Sequence, residues 1–234
     1  SPPSDAPTPV ASMISVSLSH QGSSTRLPAA DSSQGHAPQA RQLRLRRPRG
    51  RRHTDVGEWA SNGQSGGMEG FILVGGWPGS GKSTLSLALA HELGIDCLAK
   101  DEFKEGLMDH SGAPATVEES RELGRAAVEA VMRAAEGRTA AVIDSTWYSY
   151  ALPLVRRLPG PFVEVRCRLD LALAQERYHR RARDPRHLDD RRTDAELWGA
   201  EVAPLGVGPL LEVDTSGPMD IRSLAEVIRS ALTT

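Results

Sequence analysis

Cysteine, asparagine and long apolar runs are scarce in this chain, and each scarcity excludes a class of protein. Only two cysteines are present, Cys97 and Cys167, which are too few for a disulfide framework and favour a reducing, cytoplasmic location. No stretch approaches the roughly 20 consecutive apolar residues that a membrane-spanning helix needs, so we expect no membrane partner. Hydrophobic residues still make up 39% of the chain, which is enough to bury a core.

Asparagine occurs once, as Asn62, and its position disfavours two large enzyme classes. The guanine-binding N-K-x-D motif of GTPases needs an asparagine in the folded domain. The H-R-D-x-x-x-x-N catalytic loop of protein kinases needs one as well. Because Asn62 lies in a segment without the pattern of a folded domain, we expect the chain to be neither a GTPase nor a protein kinase.

Charge is unevenly distributed along the sequence. Residues 1–67 carry eight arginines and four acidic residues, whereas residues 68–234 carry 20 basic and 26 acidic residues. The first segment is rich in Ser, Pro, Gly, Ala and Gln and has no regular hydrophobic period, so we predict that it is disordered. Its run Arg41–Arg52 is dense enough in arginine to bind nucleic-acid phosphates, but the sequence favours a solvated tail without a function. A native start at Met68 is a further interpretation of this segment.

From Met68 onwards, short apolar runs alternate with amphipathic segments. This alternation predicts a single domain over residues 68–234, a three-layer α/β/α fold with a five-stranded parallel sheet. The expected strands are Phe71–Gly76, Ile95–Ala99, Thr139–Ser145, Pro161–Leu169 and Leu210–Ser216. The expected helices are Ser83–Leu93, Thr116–Gly137, about Asp170–Arg183, and Met219–Leu232. Thr116 and Glu119 are spaced as a capping box at the start of the long helix.

The segment GGWPGSGKST (Gly75–Thr84) carries a phosphate-binding motif. It satisfies G-x-x-x-x-G-K-[ST] between a predicted strand and a predicted helix, which is the context that the motif requires. Its backbone N–H groups are expected to bind the phosphates of ATP, with Lys82 at the β- and γ-phosphates and Ser83 on Mg²⁺. The predicted nucleotide-binding residues are Gly76, Pro78, Gly79, Ser80, Gly81, Lys82, Ser83 and Thr84.

Two carboxylates are expected at the same edge of the sheet as this motif. Asp144 ends the predicted third strand, where it could hold Mg²⁺ together with Ser83, or instead cap the next segment. Asp101 follows the second strand, where a carboxylate could orient an acceptor hydroxyl for attack on the γ-phosphate. Asp101 is also a good helix N-cap, and the sequence favours the functional role over that alternative.

The segment QERYHRRARDPRH carries a cluster of arginines, namely Arg177, Arg180, Arg181, Arg183 and Arg186. Arg177 and Arg181 are spaced to share one helical face, where like charges repel unless an anion lies beside them. We therefore predict an arginine-rich lid in which Arg177 and Arg181 act catalytically on the transferred phosphoryl group. The alternative is a solvated basic face balanced by Asp184, Asp189 and Asp190.

Five segments in this order, namely GGWPGSGKST, KDEFKEGL, VIDSTW, ERYHRRARDPRH and LEVDTSGP, resemble the small P-loop kinases grouped with polynucleotide 5′-hydroxyl kinase, zeta toxin and chloramphenicol phosphotransferase. The resemblance covers about residues 70–232 and implies a P-loop NTPase fold. It implies that Asp101 serves the acceptor hydroxyl, that Asp144 lies near the metal, and that arginines between Arg177 and Arg186 clamp phosphates. By the same resemblance, Asp214–Ser216 would lie near the adenine.

The sequence therefore predicts an ATP- and Mg²⁺-dependent phosphotransferase that acts on a hydroxyl of a small-molecule or nucleotide-type acceptor. Trp147, Tyr148 and Tyr150 could form an aromatic wall for a planar acceptor, or be core or interface residues. The acidic domain disfavours a long nucleic acid as acceptor. The alternative function is an ATP-binding regulatory or sensing module without robust transfer activity, and the sequence predicts no oligomeric state.

Overall fold

Six parallel strands form the central sheet of the computed structural model, which describes residues 13–15, 67–199 and 202–233. The strand order across the sheet is β1-β6-β5-β2-β4-β3, so β2 lies in the interior with β5 on one side and β4 on the other. The strands are β1 (Met13–Ser15), β2 (Gly70–Gly75), β3 (Asp96–Ala99), β4 (Ala140–Asp144), β5 (Phe162–Arg168) and β6 (Leu210–Asp214).

Helices cover both faces of this sheet, and three short 3-10 segments lie at Ser149–Ala151, Pro185–His187 and Asp189–Arg191. None of the described helices is both long and apolar enough to cross a membrane. The helices are α1 (Lys82–Leu93), α2 (Lys100–Ser111), α3 (Val117–Glu136), α4 (Leu152–Val155), α5 (Leu171–Arg180), α6 (Asp194–Trp198) and α7 (Ile221–Leu232).

The pleat of β2 divides the core into two layers. Successive side chains of a strand point to opposite faces, and both faces of β2 are apolar, as expected for a parallel strand between two helical layers. Ile72 and Val74 belong to the layer that contains α1 and α7, whereas Phe71 and Leu73 belong to the layer that contains α3. The buried face of each helix thus fixes which of the two layers it joins.

The predicted α/β/α fold and its five-stranded parallel sheet are confirmed, and each predicted strand lies within two residues of its observed bounds. The structure adds β1, which pairs in parallel with β6 and falls in the segment for which the sequence predicts disorder. Three residues are too few to show a hydrophobic period, so no pattern could reveal this strand. The rest of that segment, including the run Arg41–Arg52, lies outside the described residues.

Helix α5 is shorter than predicted, and this changes where the arginines lie. It ends at Arg180, and Arg181 has an extended backbone with φ −80° and ψ 123°. The helix buries Ala174 and Tyr178 but no residue one turn further on, so nothing in the core supports its continuation. Asp170 caps its start by accepting hydrogen bonds from the N–H groups of Ala172 and Leu173.

The long helix α3 begins as the capping pattern predicts, with one difference. The Thr116 side chain accepts a hydrogen bond from the backbone N–H of Glu119. The Glu119 carboxylate, however, accepts from the N–H of Ala115 instead of that of Thr116. Both exposed N–H groups at this helix end are still satisfied, and Gly137 ends the helix as predicted.

We expect Ile228→Ala in α7 to lower the free energy of unfolding by about 2–5 kcal/mol, because it leaves a cavity in a packed core. Ile228 is fully buried between α7 and the sheet. Urea denaturation measures the change. Glu226→Ala, at an exposed position of the same helix, is the control and should have little effect; equal losses in the two variants would contradict the core assignment.

Candidate active site

The phosphate-binding motif forms a tight loop between β2 and α1. Its last glycine, Gly81, is the residue before the helix and has φ 87°, a left-handed conformation that favours glycine. Gly79 has φ 81°, and a side-chain Cβ at this position would lie 2.0 Å from the carbonyl oxygen of Ala174. The loop therefore packs directly on the backbone of α5, and only glycine permits this approach.

Lys82 is the first residue of α1, and its side chain reaches back into the loop. Its ammonium group donates a hydrogen bond of 2.9 Å to the carbonyl oxygen of Trp77, which uses one of its three donors. Burial lowers the pKa of Lys82, although the nearby Asp144 carboxylate counteracts this effect. The loop thus encloses a cation with donors left for a phosphate.

Asp144 lies next to this cation because β4 runs parallel to β2, with Asp144 in register with Val74. Asp144 is 6% exposed. Burial raises the pKa of Asp144, whereas the Lys82 ammonium and the nearby Ser83 hydroxyl oppose the rise. The alternative that Asp144 caps the next segment is wrong, because the following 3-10 segment has Tyr148 at its cap position.

Ser83 and Asp144 together fit a magnesium ion. Mg²⁺ prefers oxygen ligands and is held in nucleotide sites by one or two protein groups, with phosphates and water completing its shell. The Ser83 hydroxyl and the Asp144 carboxylate, which line the same cleft, provide such a pair. Within the described residues no three His, Cys, Asp or Glu side chains are grouped, so a metal here would depend on nucleotide phosphates.

Asp101 lies in the first turn of α2. Its carboxylate accepts hydrogen bonds from the Lys100 ammonium at 2.9 Å and the Arg183 guanidinium at 2.7 Å. Burial tends to raise the pKa of Asp101, but Lys100 and Arg183 hold it well below its usual range. The N-cap alternative is wrong, because Ala99 occupies that position and no side chain caps the helix.

The arginine cluster does not act as one unit. Arg183 bridges two carboxylates, since its guanidinium also contacts Asp189 at 2.9 Å. Arg177 instead donates to the carbonyl oxygens of Thr215 and Ser216, at 2.8 Å and 2.9 Å. The predicted common helical face of Arg177 and Arg181 is wrong, because α5 ends before Arg181.

The remaining arginines of the cluster support the alternative of a balanced basic face in part. Arg180 pairs with Glu176 within α5, and Arg186 pairs with Asp184 and Asp109. Only Arg181 and Arg183 of the cluster line the cleft described next. The arginine that reaches Asp101 is therefore Arg183, and helical spacing could not identify it because it lies beyond the helix.

These groups surround one cleft of about 460 Å³. The predicted site residues that line it are Pro78, Gly79, Lys82, Ser83, Asp101, Asp144 and Arg181. Its lining does not include Gly76, Ser80, Gly81, Thr84 or Arg177. The cleft extends past Asp101 along α2 and α3, which leaves room for a second molecule beside a nucleotide.

The far half of the cleft, around Lys104, Ser120 and Arg192, contains residues that no sequence motif indicates. Lys104 and Arg192 both donate to the hydroxyl of Ser120, at 2.7 Å and 3.1 Å. The only sequence signal is that Lys104 follows Asp101 by three residues, which puts both on one side of α2. Arg192 is 72 positions from Ser120 along the chain, so no local pattern could pair them.

The three aromatic residues after β4 have different roles. Trp147 is a core residue, 4% exposed, and its indole N–H donates to the carbonyl oxygen of Val74 at 3.0 Å. Tyr148 and Tyr150 line the cleft, with ring centroids 6.1 Å apart and an interplanar angle of 20°. The predicted aromatic wall thus consists of two tyrosines at most.

Comparisons with known proteins give a family match and a similar solved structure. A family model described as an AAA domain (AAA_33) matches residues 71–201, which is more than half of the chain. A candidate kinase from Chloroflexus aurantiacus J-10-fl is 29% identical with a TM-score of 0.63, and the match covers 72% of this chain and 100% of that one. A search of curated proteins gave no match.

Two further solved structures match this chain over most of its length. A gluconokinase from Sinorhizobium meliloti 1021 is 26% identical with a TM-score of 0.45, over 70% of this chain and 90% of that one. The APS kinase of Mycobacterium tuberculosis, solved in complex with AMPPNP and APS, is 18% identical with a TM-score of 0.49, over 71% and 99%. These similarities do not single out the polynucleotide kinase, zeta toxin and chloramphenicol phosphotransferase group, which stays a prediction.

We expect Gly79→Ala to weaken ATP binding by about tenfold or more, because a left-handed backbone costs a non-glycine residue roughly 1–2 kcal/mol and the new methyl group also clashes with α5. Titration with a fluorescent ATP analogue measures the loss. Gly94→Ala is the matched control, since Gly94 also has a positive φ of 68° but no atom within 4 Å of a Cβ. It should lower the melting temperature and leave affinity unchanged; equal affinity in the two variants would contradict the role of Gly79.

Proposed function

The chain belongs to the AAA_33 family of AAA domains, and from this premise we propose that it is an ATP-dependent phosphotransferase acting on a hydroxyl group. The acceptor is a small molecule or a nucleotide-type compound. The observation that carries the proposal is the meeting of Lys82, the Ser83–Asp144 pair and Asp101 in one cleft. A nucleotide-binding loop alone would need only the first of these groups.

The loop and α1 bind the nucleotide in this proposal. Backbone N–H groups at the start of α1 point towards the phosphates, and the helix dipole favours negative charge there. Lys82 binds the β- and γ-phosphates through the donors that Trp77 does not use. Ser83 and Asp144 would hold Mg²⁺, which would supply positive charge to the phosphates when bound.

Asp101 orients the acceptor. Its side chain is 42% exposed, so a hydroxyl group can reach it from the cleft. The hydroxyl oxygen attacks the γ-phosphorus while the bond from that phosphorus to the β–γ bridging oxygen breaks, and ADP leaves. The hydroxyl proton passes to Asp101 or to water. Phosphoryl transfer has a loose transition state, so orientation by an ionised carboxylate contributes more than strong basicity.

Arg183 is the lid arginine in this proposal, in place of Arg177. Its guanidinium already lies at Asp101, and it also contacts Asp189. A γ-phosphate in the cleft competes with the carboxylates of Asp101 and Asp189 for the N–H donors of the Arg183 guanidinium. Movement of Arg183 to the phosphate would free Asp101 and raise its pKa, which prepares it to accept a proton.

The order of the five segments from GGWPGSGKST to LEVDTSGP supports membership of the small kinases grouped with polynucleotide kinase, zeta toxin and chloramphenicol phosphotransferase. Both cysteines are unpaired, which supports a cytoplasmic location.

We expect Asp101→Asn to lower kcat for transfer by about 10²–10⁴ while ATP affinity stays close to that of the wild type, because Asn cannot accept a proton. Transfer from labelled ATP across a panel of hydroxyl acceptors is the assay. Asp109→Asn is the control, since Asp109 lies on the same helix with its side chain 69% exposed. Full activity in Asp101→Asn would overturn the assigned role.

We expect Lys82→Ala to lower both ATP binding and ATP consumption, the latter by about 10²-fold or more, because it removes a preorganised charge at the reacting phosphate. Arg222→Ala, with a side chain that is 80% exposed, controls for the loss of one positive charge. Undiminished ATP turnover in Lys82→Ala would exclude the scheme. Normal ATP binding by the wild type without transfer to any acceptor would instead favour a nucleotide-sensing module.

A further inference from the structure

All three lysines of this chain line the same cleft, although the chain also contains 25 arginines spread over its length. The proposed function uses two of them. Lys82 serves the nucleotide, and Lys100 forms an ion pair with Asp101 at 2.9 Å. Lys104 has no task in that scheme, and it lies in the half of the cleft that a nucleotide would leave open.

Lys104 is buried to 2% exposure, yet its partner is a hydroxyl group and not a carboxylate. Its ammonium donates to the Ser120 hydroxyl at 2.7 Å, and the Arg192 guanidinium donates to the same oxygen at 3.1 Å. Over residues 67–199 and 202–233, neither cation forms an ion pair with a carboxylate. Two cations thus converge on one neutral oxygen.

This arrangement is unfavourable by itself. Removal from water disfavours a charge that is not paired, and two like charges repel each other. Burial, together with the neighbouring Lys100 and Arg192, lowers the pKa of Lys104 to about 8, although Asp101 and Asp189 oppose the decrease. An apolar residue of similar volume would fill the position without these penalties.

The acidic side chains of the cleft offset the charge of this pair only in part, because they contact other cations directly. Asp189 contacts Arg183, and Glu196 contacts Arg121. On the cationic side, the Nε atom of Arg192 is buried and has no hydrogen-bond partner among the described residues. The part of the cleft around Lys104 and Arg192 therefore has hydrogen-bond donors without acceptors and positive charge that is only partly balanced.

We propose that the phosphoryl acceptor is an anion, and that its phosphate or carboxylate group binds between Lys104 and Arg192 while its hydroxyl lies at Asp101. This inference rests on the proposed function. Lys104 follows Asp101 by three residues of α2, a rise of about 4.5 Å. The hydroxyl and the anionic group that these two side chains would bind can therefore belong to one small molecule. The tyrosine pair Tyr148 and Tyr150 forms the wall beside it.

The anion site is tested without catalysis. Inorganic sulfate is titrated by calorimetry into protein saturated with Mg²⁺ and a non-hydrolysable ATP analogue, so that the phosphate-binding loop is already filled. We expect the wild type to bind one sulfate, and Lys104→Met to bind it about tenfold or more weakly, as for loss of a charged hydrogen bond. Arg133→Ala, an exposed change on α3, should match the wild type.

Two outcomes would overturn the anion site: no sulfate binding when nucleotide is bound, or equal affinity in the wild type and Lys104→Met. We also expect Lys104→Met to melt no lower than the wild type, since it removes a buried charge; a lysine kept for folding would show the opposite. If Lys104→Met does not fold, Arg192→Gln makes the same test, because Arg192 lies at the cleft and is only partly buried.

A transfer assay then distinguishes the two kinds of anion. Glucose, gluconate and glucose 6-phosphate offer similar hydroxyl groups with no charge, a carboxylate and a phosphate. We expect kcat/KM to be higher for gluconate or for glucose 6-phosphate than for glucose. We expect Lys104→Met to reduce this preference by raising KM for the anionic acceptor. Equal use of glucose and both anions would overturn the inference and leave the proposed function standing. Sulfate binding without transfer to any acceptor would leave the anion site standing and count against the proposed phosphotransferase function.

Discussion

The parallel pairing of β2, β3 and β4 is the constraint on which the site depends. Because all three strands run in one direction, their carboxyl ends meet at one edge of the sheet. Register places Asp144 beside Val74 on one side and Ala99 on the other. The backbone topology alone therefore brings the phosphate loop, Asp144 and the start of α2 together.

The second layer of organisation comes from α5 and the segment after it, which close over the sheet edge. Gly79 lets the loop pack on the α5 backbone, so the loop and α5 are held against each other. Because the helix ends at Arg180, the chain turns and brings Arg183 to Asp101. The segment after Arg183, with its two 3-10 turns, brings Arg192 to Ser120, so the chain that follows α5 supplies cations to both halves of the cleft.

The sequence predicted those parts of the structure that depend on local patterns. Apolar runs gave the five strands, and a motif in strand-to-helix context gave the residues around Lys82. The expected common helical face of Arg177 and Arg181 is wrong, because a helix end is set by what the core can bury and no pattern after Tyr178 marks that limit. Arg181 nevertheless lines the cleft. Lys104 and Arg192 were not found because a contact between residues far apart in the chain exists only in the folded protein.

The distribution of charge connects the fold to the kind of ligand it favours. Residues 68–234 carry 20 basic and 26 acidic residues, so the domain as a whole repels polyanions. Within the cleft the balance is reversed, with eight lysine and arginine side chains and four acidic ones among its lining residues. A cationic cleft in an acidic domain attracts anions that fit inside it more than long chains that must also contact the outer surface. Lysine suits such a site because its compact ammonium group can be buried along its own stem and still present several donors to one small anion.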